Sequence, residues 1–381
     1  MNSLETYNAL ITRYFGNGTA RCDTGRTASN HVIGALNHAQ FECFKTAFQK
    51  RIERLSARYK GNHGLPHLLS AVNEVGSERN WEGAYAELVA IDFLNANTDY
   101  LTQPISLSRT VPASETLAGD MGMKNVNFDG YFDDFGISFD VKVLSDKSRN
   151  ILDGIISQVV KQLGLSRTTI QPEYPLDEDF VLFEQNRPAL YNELLNAISN
   201  DAKAKPTHIR STILPPLSYR MIWGSGVLTT VSTYDPFRHA ATHHRLLFKH
   251  AKKFAKTSPC LIVFVIFPWF SEKLADISGS NEEFYRAFCR RFFCQYAKDN
   301  RSATTVIKGI RGEITISEVT SSLSGVLFLE DHSITTSTPD EQNVKAFAYL
   351  NPNASHRVNR FSRCYLKTHR VWIDDFENDN Y

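Results

Sequence analysis

The sequence predicts an α/β fold, a mixed β-sheet flanked by helices, with a helical N-terminal region. Three observations carry that expectation. Ile33, Leu36, Phe41, Phe44, Phe48, Ile52 and Leu55 recur near helical spacing among polar residues, and a second helical stretch runs from Trp81 to about Asn95. Residues 126–144 turn β-like, with Val126, Phe128, Tyr131, Phe132, Ile137, Phe139, Val141 and Val143 around the turn chemistry of Asp133-Asp134-Phe135-Gly136, which makes a hairpin. The apolar run Cys260–Phe270 contains Pro268 and is too short to cross a bilayer, so it reads as a buried strand over 260–267.

In chain order, residues 1–78 form the helical N-terminal region, broken by the loop Gly61-Asn62-His63-Gly64-Leu65-Pro66. Residues 79–165 place the hairpin between two helices. The second of these, about Ile151–Leu163, is amphipathic, with Leu152, Ile155, Ile156 and Val159 on its apolar face. Residues 166–235 are rich in proline and read as an insertion or connector with one helix near 186–199. Residues 236–381 return to α/β character. They hold a basic helix from about His239 to Lys256, the strand 260–267, a helix over 281–297 and strands near 303–309, 324–330 and 345–350. These strands either extend the same sheet or form a second layer. The acidic tail, with Asp374, Asp375, Glu377 and Asp379, is expected to fray.

Composition narrows the function. The 381 residues carry 42 Lys+Arg against 41 Asp+Glu, a net charge of +1, which excludes holding nucleic acid through bulk charge but leaves room for a local basic groove. The hydrophobic and charged shares, 42% and 22%, are those of a folded globular chain. Cysteines 22, 43, 260, 289, 294 and 364 follow no disulfide or metal spacing, so reduced thiols and a cytoplasmic location are expected. Met1–Phe15 mixes Glu5 and Arg13 with polar residues and does not read as a signal peptide; no membrane partner is expected. Neither His63/His67 nor His239/His243/His244 has a Cys or carboxylate close in sequence to complete a zinc site.

The informative stretch is Phe128-Asp129-Gly130 followed by Asp140-Val141-Lys142. A turn centred on Asp134 and Phe135 sets Asp129 across from Asp140, with Cβ atoms roughly 5 Å apart. Asp140 and Lys142 share one face, and Phe139, Val141 and Val143 take the other. Two carboxylates this close need a neutralising partner, which Lys142 supplies in part and a divalent cation supplies better. Glu87, on the helix before the hairpin, shares a face with Gly83, Ala84, Ala90, Ile91 and Leu94, and a carboxylate on an apolar stripe needs a partner or a proton. Hard oxygen ligands of this kind suit Mg²⁺ or Mn²⁺.

A helical Glu, then Asp, then Asp-x-Lys across a β-hairpin resembles the PD-(D/E)xK nuclease superfamily with its restriction-endonuclease-like core, the matching positions being Glu87, Asp129, Asp140 and Lys142. Phe128 stands where that pattern has Pro. The resemblance implies that Asp129 and Asp140 hold the metal, with the Val141 carbonyl a further ligand, and that Glu87 binds the metal or orients water. It implies that Lys142 activates the attacking water. The expected function is metal-dependent endonucleolytic cleavage of DNA, in restriction or anti-phage defence, by a homodimer or with a targeting partner subunit. The alternative is a non-catalytic nucleic-acid-binding or assembly protein on a degraded nuclease fold.

Other residues carry two readings each. Gln158 and Lys161, on the helix after the hairpin, either support the site or belong to a solvated face. Lys147 and Arg149, in the loop 145–149 that leaves the Lys142 end of the strand, either contact phosphate or are plain loop residues. On the basic helix, Lys249, Lys252, Lys253 and Lys256 form one stripe, with Arg245 nearby; this is a phosphate-tracking face or a solvated one.

Overall fold

The computed structural model describes residues 3–16, 30–37, 39–77, 80–96, 101–112, 125–144, 147–165, 168–174, 180–200, 205–224, 236–243, 245–254, 257–268, 281–296, 302–306, 312–334, 343–377 and 379. Two compact units result: unit 1 is Met1–Ser145 with His244–Tyr381, and unit 2 is Asp146–His243. Unit 1 begins with helices α1 (Ser3–Phe15), α2 (His31–Asn37), α3 (Glu42–Tyr59), α4 (Leu65–Val75) and α5 (Trp81–Asn95). Phe44, Phe48, Ile52 and Leu55 recur on α3 and are buried, whereas Ile33 and Leu36 of the same pattern lie on α2. Pro66, expected to break the helical region, lies in the first turn of α4, where a missing N–H costs no hydrogen bond. Strands β1 (Ser106–Pro112), β2 (Asn125–Phe132) and β3 (Ile137–Val143) follow as an antiparallel meander.

Unit 2 contains α6 (Lys147–Leu163), β4 (Thr168–Glu173), α7 (Phe180–Gln185), α8 (Arg187–Asn200), β5 (His208–Arg210), β6 (Ser218–Trp223) and α9 (Pro236–His243). The described residues of the expected insertion or connector over 166–235 thus carry strands and helices of their own. Its strands pair antiparallel in the order β4-β6-β5. Leu152, Ile155 and Val159 of α6 pack with Leu190, Leu194 and Ile198 of α8 and with Ile170, Tyr219 and Met221 of the strands. The prolines do not prevent this: Pro188 sits in the first turn of α8, and Pro172 lies on the edge strand β4. The loop expected over 145–149 is shorter, because Lys147–Arg149 form the first turn of α6.

The chain then returns to unit 1 with α10 (Arg245–His250), β7 (Cys260–Ile266), α11 (Asn281–Arg290), β8 (Thr304–Thr305), β9 (Ile314–Thr315), α12 (Ile316–Ser322), β10 (Gly325–Asp331), β11 (Val344–Leu350), α13 (Arg360–Thr368) and β12 (Trp372–Asp374). A mixed sheet runs β1-β2-β3-β7-β10-β11-β12, with β3, β7 and β10 parallel at its centre. The late strands thus extend the first sheet. β7 and β10 are buried at every position, as parallel strands covered on both faces must be. Phe139, Val141, Leu261, Val263 and Val265 pack with the N-terminal helices in one core. On the other face, Phe264 and Phe328 stack against each other, and α11 covers them with Tyr285 and Phe288. The tail is tied down, not frayed. Arg286 Nε donates to Asp374 (2.8 Å), Arg363 to Asp375 (2.7 Å) and Arg290 Nε to Asp379 (2.9 Å), and Phe376 is buried.

Among the described residues, no helix is long and apolar enough to cross a membrane. Cys43, Cys260, Cys289, Cys294 and Cys364 are free thiols, and Cys22 lies outside the described residues.

Candidate functional site

The hairpin register is the one a turn at Asp134–Phe135 requires: Phe132 pairs with Ile137, Tyr131 with Ser138 and Gly130 with Phe139. Gly136 takes the left-handed conformation (φ +67°) that closes the turn. Gly130 is fixed by close approach, since a Cβ there would lie 2.0 Å from Phe139 Cζ. Asp129 and Asp140 come next, where regular pairing ends. There the Asp129 carboxylate, not its main chain, accepts the Val141 N–H at 2.7 Å. The strands part at this point and leave room for side chains.

Four charged groups fill that space. Lys142 Nζ lies 2.5 Å from Asp140 Oδ2 and 3.9 Å from Asp129 Oδ2, and it donates to the Val141 carbonyl at 2.8 Å. Lys253 Nζ donates to Asp140 Oδ1 at 3.0 Å. Asp140 is buried, while Asp129 and Lys142 are half-buried. Lys253 was expected on a basic helical stripe, facing either phosphate or solvent. That helix is broken instead: α10 ends at His250, a 3-10 turn covers Ala251–Lys253, and Phe254 is extended. The parallel pairing of β3 with β7 brings Lys253 to Asp140 from 113 residues away, which no local pattern could reveal.

Glu87 joins from α5, a helix otherwise buried nearly all round. Burial, then the charge of Asp129, pushes the Glu87 carboxyl up to about 7. Burial and the Asp140 charge also push Asp129 up. Asp140 goes down: burial works against its charge, but Lys142 and Lys253 outweigh it. The pair thus divides its roles, with Asp140 ionised and Asp129 favouring the proton. His250, unremarked in the sequence, is held down to about 4 by burial and by the Lys142 charge, so it is neutral beside the cluster. A cleft of about 170 Å³ lined by His67, Ser70, Glu74, Glu87, Ser108 and Asp129 opens beside the two carboxylates.

Of the other expected residues, Lys249 is exposed on α10. Gln158 and Lys161 are exposed on α6 in unit 2, whereas the carboxylate cluster belongs to unit 1. Lys256 and the side chains of Lys147, Arg149, Arg245 and Lys252 lie outside the described residues.

Among the described residues, no three His, Cys, Asp or Glu side chains stand together as a metal-holding group. The donor set here is two carboxylates and one carbonyl around a single cationic atom, the Lys142 ammonium. That set suits Mg²⁺, which takes one or two carboxylates and completes its shell with water and substrate phosphate. No family model matches the sequence, and no curated protein or solved structure is similar enough to be matched to it.

Proposed function

We propose that this chain is a metal-dependent nuclease that hydrolyses DNA phosphodiester bonds at the Asp129–Asp140–Lys142 cluster, as the PD-(D/E)xK resemblance implies. One observation carries the reading. The Lys142 ammonium is held by Asp140, the Val141 carbonyl and, at longer range, Asp129, the three donors the resemblance assigns to a divalent cation. Asp129, Asp140 and the Val141 carbonyl would hold Mg²⁺ or Mn²⁺. When bound, that ion supplies a Lewis acid for the phosphate and a water of lowered pKa. Glu87, poised at about 7, can take a proton from the attacking water near neutral pH. Lys142, displaced from the carboxylates, is positioned to stabilise the charge that develops on the phosphorus oxygens. Lys253 keeps Asp140 ionised, and exposed Lys249 is available to the nucleic acid backbone.

A second reading has its own observation: two lysines already compensate the carboxylates, as they would in a non-catalytic nucleic-acid-binding protein. One experiment separates the two. Supercoiled, linear and single-stranded DNA and RNA are incubated with wild type, Lys142→Ala and Asp140→Ala in Mg²⁺, Mn²⁺ or EDTA. The expected outcome is cation-dependent nicking of DNA, reduced more than about 100-fold in both variants with unchanged circular dichroism. Salt-sensitive DNA binding without cleavage, and no Asp140-dependent cation binding by calorimetry, would sink the nuclease in favour of the binding protein.

A further inference from the structure

Unit 1 holds a second cavity, of about 560 Å³, whose lining shares no residue with the cleft at Glu87 and Asp129. Lys50, Arg51, Arg54 and Arg370 line it together with the carboxylate of Asp92. Asp331 stands behind Arg51 at 3.6 Å. Arg51 is buried and committed to Asp92, Asp331 and the Tyr85 hydroxyl. Arg54 keeps 40% of its side chain exposed even while it grips Asp92 with two N–H groups, and Arg370 is exposed.

His369 and Asn343 also line the cavity. His369 is 4% exposed, and among the described residues its Nε2 and the buried Asn343 Nδ2 have no hydrogen-bond partner. An unpaired buried polar group costs about 1–3 kcal/mol, so a ligand that pairs these side chains gains by it. The His369 ring lies 5.3 Å from that of Phe93, which adds a flat apolar wall. Burial lowers the His369 pKa to about 4, so the imidazole is neutral and suited to an uncharged polar partner.

We propose that this cavity binds a phosphate monoester of nucleotide size. Lys50, Arg54 and Arg370 take the phosphoryl group, while Asn343, His369 and Phe93 take an uncharged polar ring system. The volume lies in the range of small-molecule sites. Guanidinium and ammonium groups at the exposed side match a phosphoryl group, and the neutral donors and acceptors at the buried side match ring nitrogens, carbonyls or hydroxyls. The site stands on residues that the proposed nuclease cluster does not use, so each can fail alone.

The test is isothermal titration of the full chain with AMP, GMP, CMP, UMP and inorganic phosphate. The proteins are wild type, Lys50→Glu, Arg370→Glu and Asp140→Asn, each checked by circular dichroism. We expect saturable binding of at least one nucleotide, at least about tenfold tighter than inorganic phosphate. Both charge reversals should weaken it about tenfold or more, and Asp140→Asn should leave it unchanged. The proposal is overturned if no nucleotide binds saturably at millimolar concentration, if inorganic phosphate binds as tightly as the best nucleotide, or if both charge reversals bind like wild type.

Discussion

Two of the places where unit 1 buries charge are built on opposite principles. Arg51 itself is fully answered. Its guanidinium meets Asp92 at 3.2 Å, Asp331 at 3.6 Å and the Tyr85 hydroxyl at 2.7 Å, and Tyr85 donates in turn to Asp331 at 2.8 Å. Arg54 adds a two-pronged grip on Asp92. Around Lys142 the charges are not answered evenly. Asp140 takes two lysines, while Glu87 is pushed up by burial and the Asp129 charge, and Asp129 by burial and the Asp140 charge. A saturated cluster ties α3, α5 and β10 together. An unbalanced one stores a preference for another cation and for a proton near neutral pH, and that distinguishes a candidate site from a structural ion pair.

The largest expected effect tests the saturated cluster. Arg51→Met leaves Asp331 buried without its counter-charge and Asp92 with Arg54 alone, and should cost about 3–5 kcal/mol in urea denaturation, with any nuclease activity per folded molecule retained. The middle effect comes from Glu87. Folded, it holds its proton up to about pH 7; its ordinary value is 4.5. A raised folded-state pKa means that its stabilising contribution is complete below about pH 4.5 and is lost as pH rises through 7. Glu87→Gln cannot lose that proton, so it should match wild type at pH 4 and exceed it by about 2 kcal/mol at pH 8. Millimolar Mg²⁺ should narrow that gap by favouring ionised Glu87. Equal pH profiles for the two proteins would show that the carboxyl is not strained. The smallest effect on stability is Lys142→Met, about 1 kcal/mol, because Lys253 remains on Asp140 and the cluster is partly open to water. If Lys142→Met unfolds as readily as Arg51→Met, the contrast between the clusters fails.

Local chemistry made half of this legible. The hairpin could be placed because its turn residues and alternating apolar positions agree, so the approach of Asp129 to Asp140 followed from register alone. Glu87 stood out as a carboxylate on a helix with too many apolar neighbours. Lys253 did not, because in sequence it is one of a run of basic residues, and only pairing of β3 with β7 gives it an acidic partner. Arg51 was hidden for the same reason: Lys50-Arg51 reads as the solvated face of a helix until Asp331 arrives on β10. The edge strand β1 was missed because Arg109 and Thr110 leave it little apolar alternation and Ser108 adopts φ +54°. The proline content of unit 2 hid its strands, although prolines in first turns and on edge strands break nothing.

The sequence distances inside the two clusters bear on how the protein is made. Tyr85 waits for Asp331 across 246 residues, and Asp140 waits for Lys253 across 113. A nascent chain that has released only its N-terminal helices carries Arg51 without a β10 partner, and one that has also released the hairpin still lacks Lys253. The Arg51 network therefore stays incomplete until β10, in the last third of the chain, has left the ribosome, and the carboxylate cluster lacks Lys253 until about two-thirds of the chain has been made. Pairing across the sequence thus delays the candidate site until well after the hairpin has been made. For a protein proposed to cut DNA, strand order keeps the carboxylate cluster incomplete while its hairpin is new.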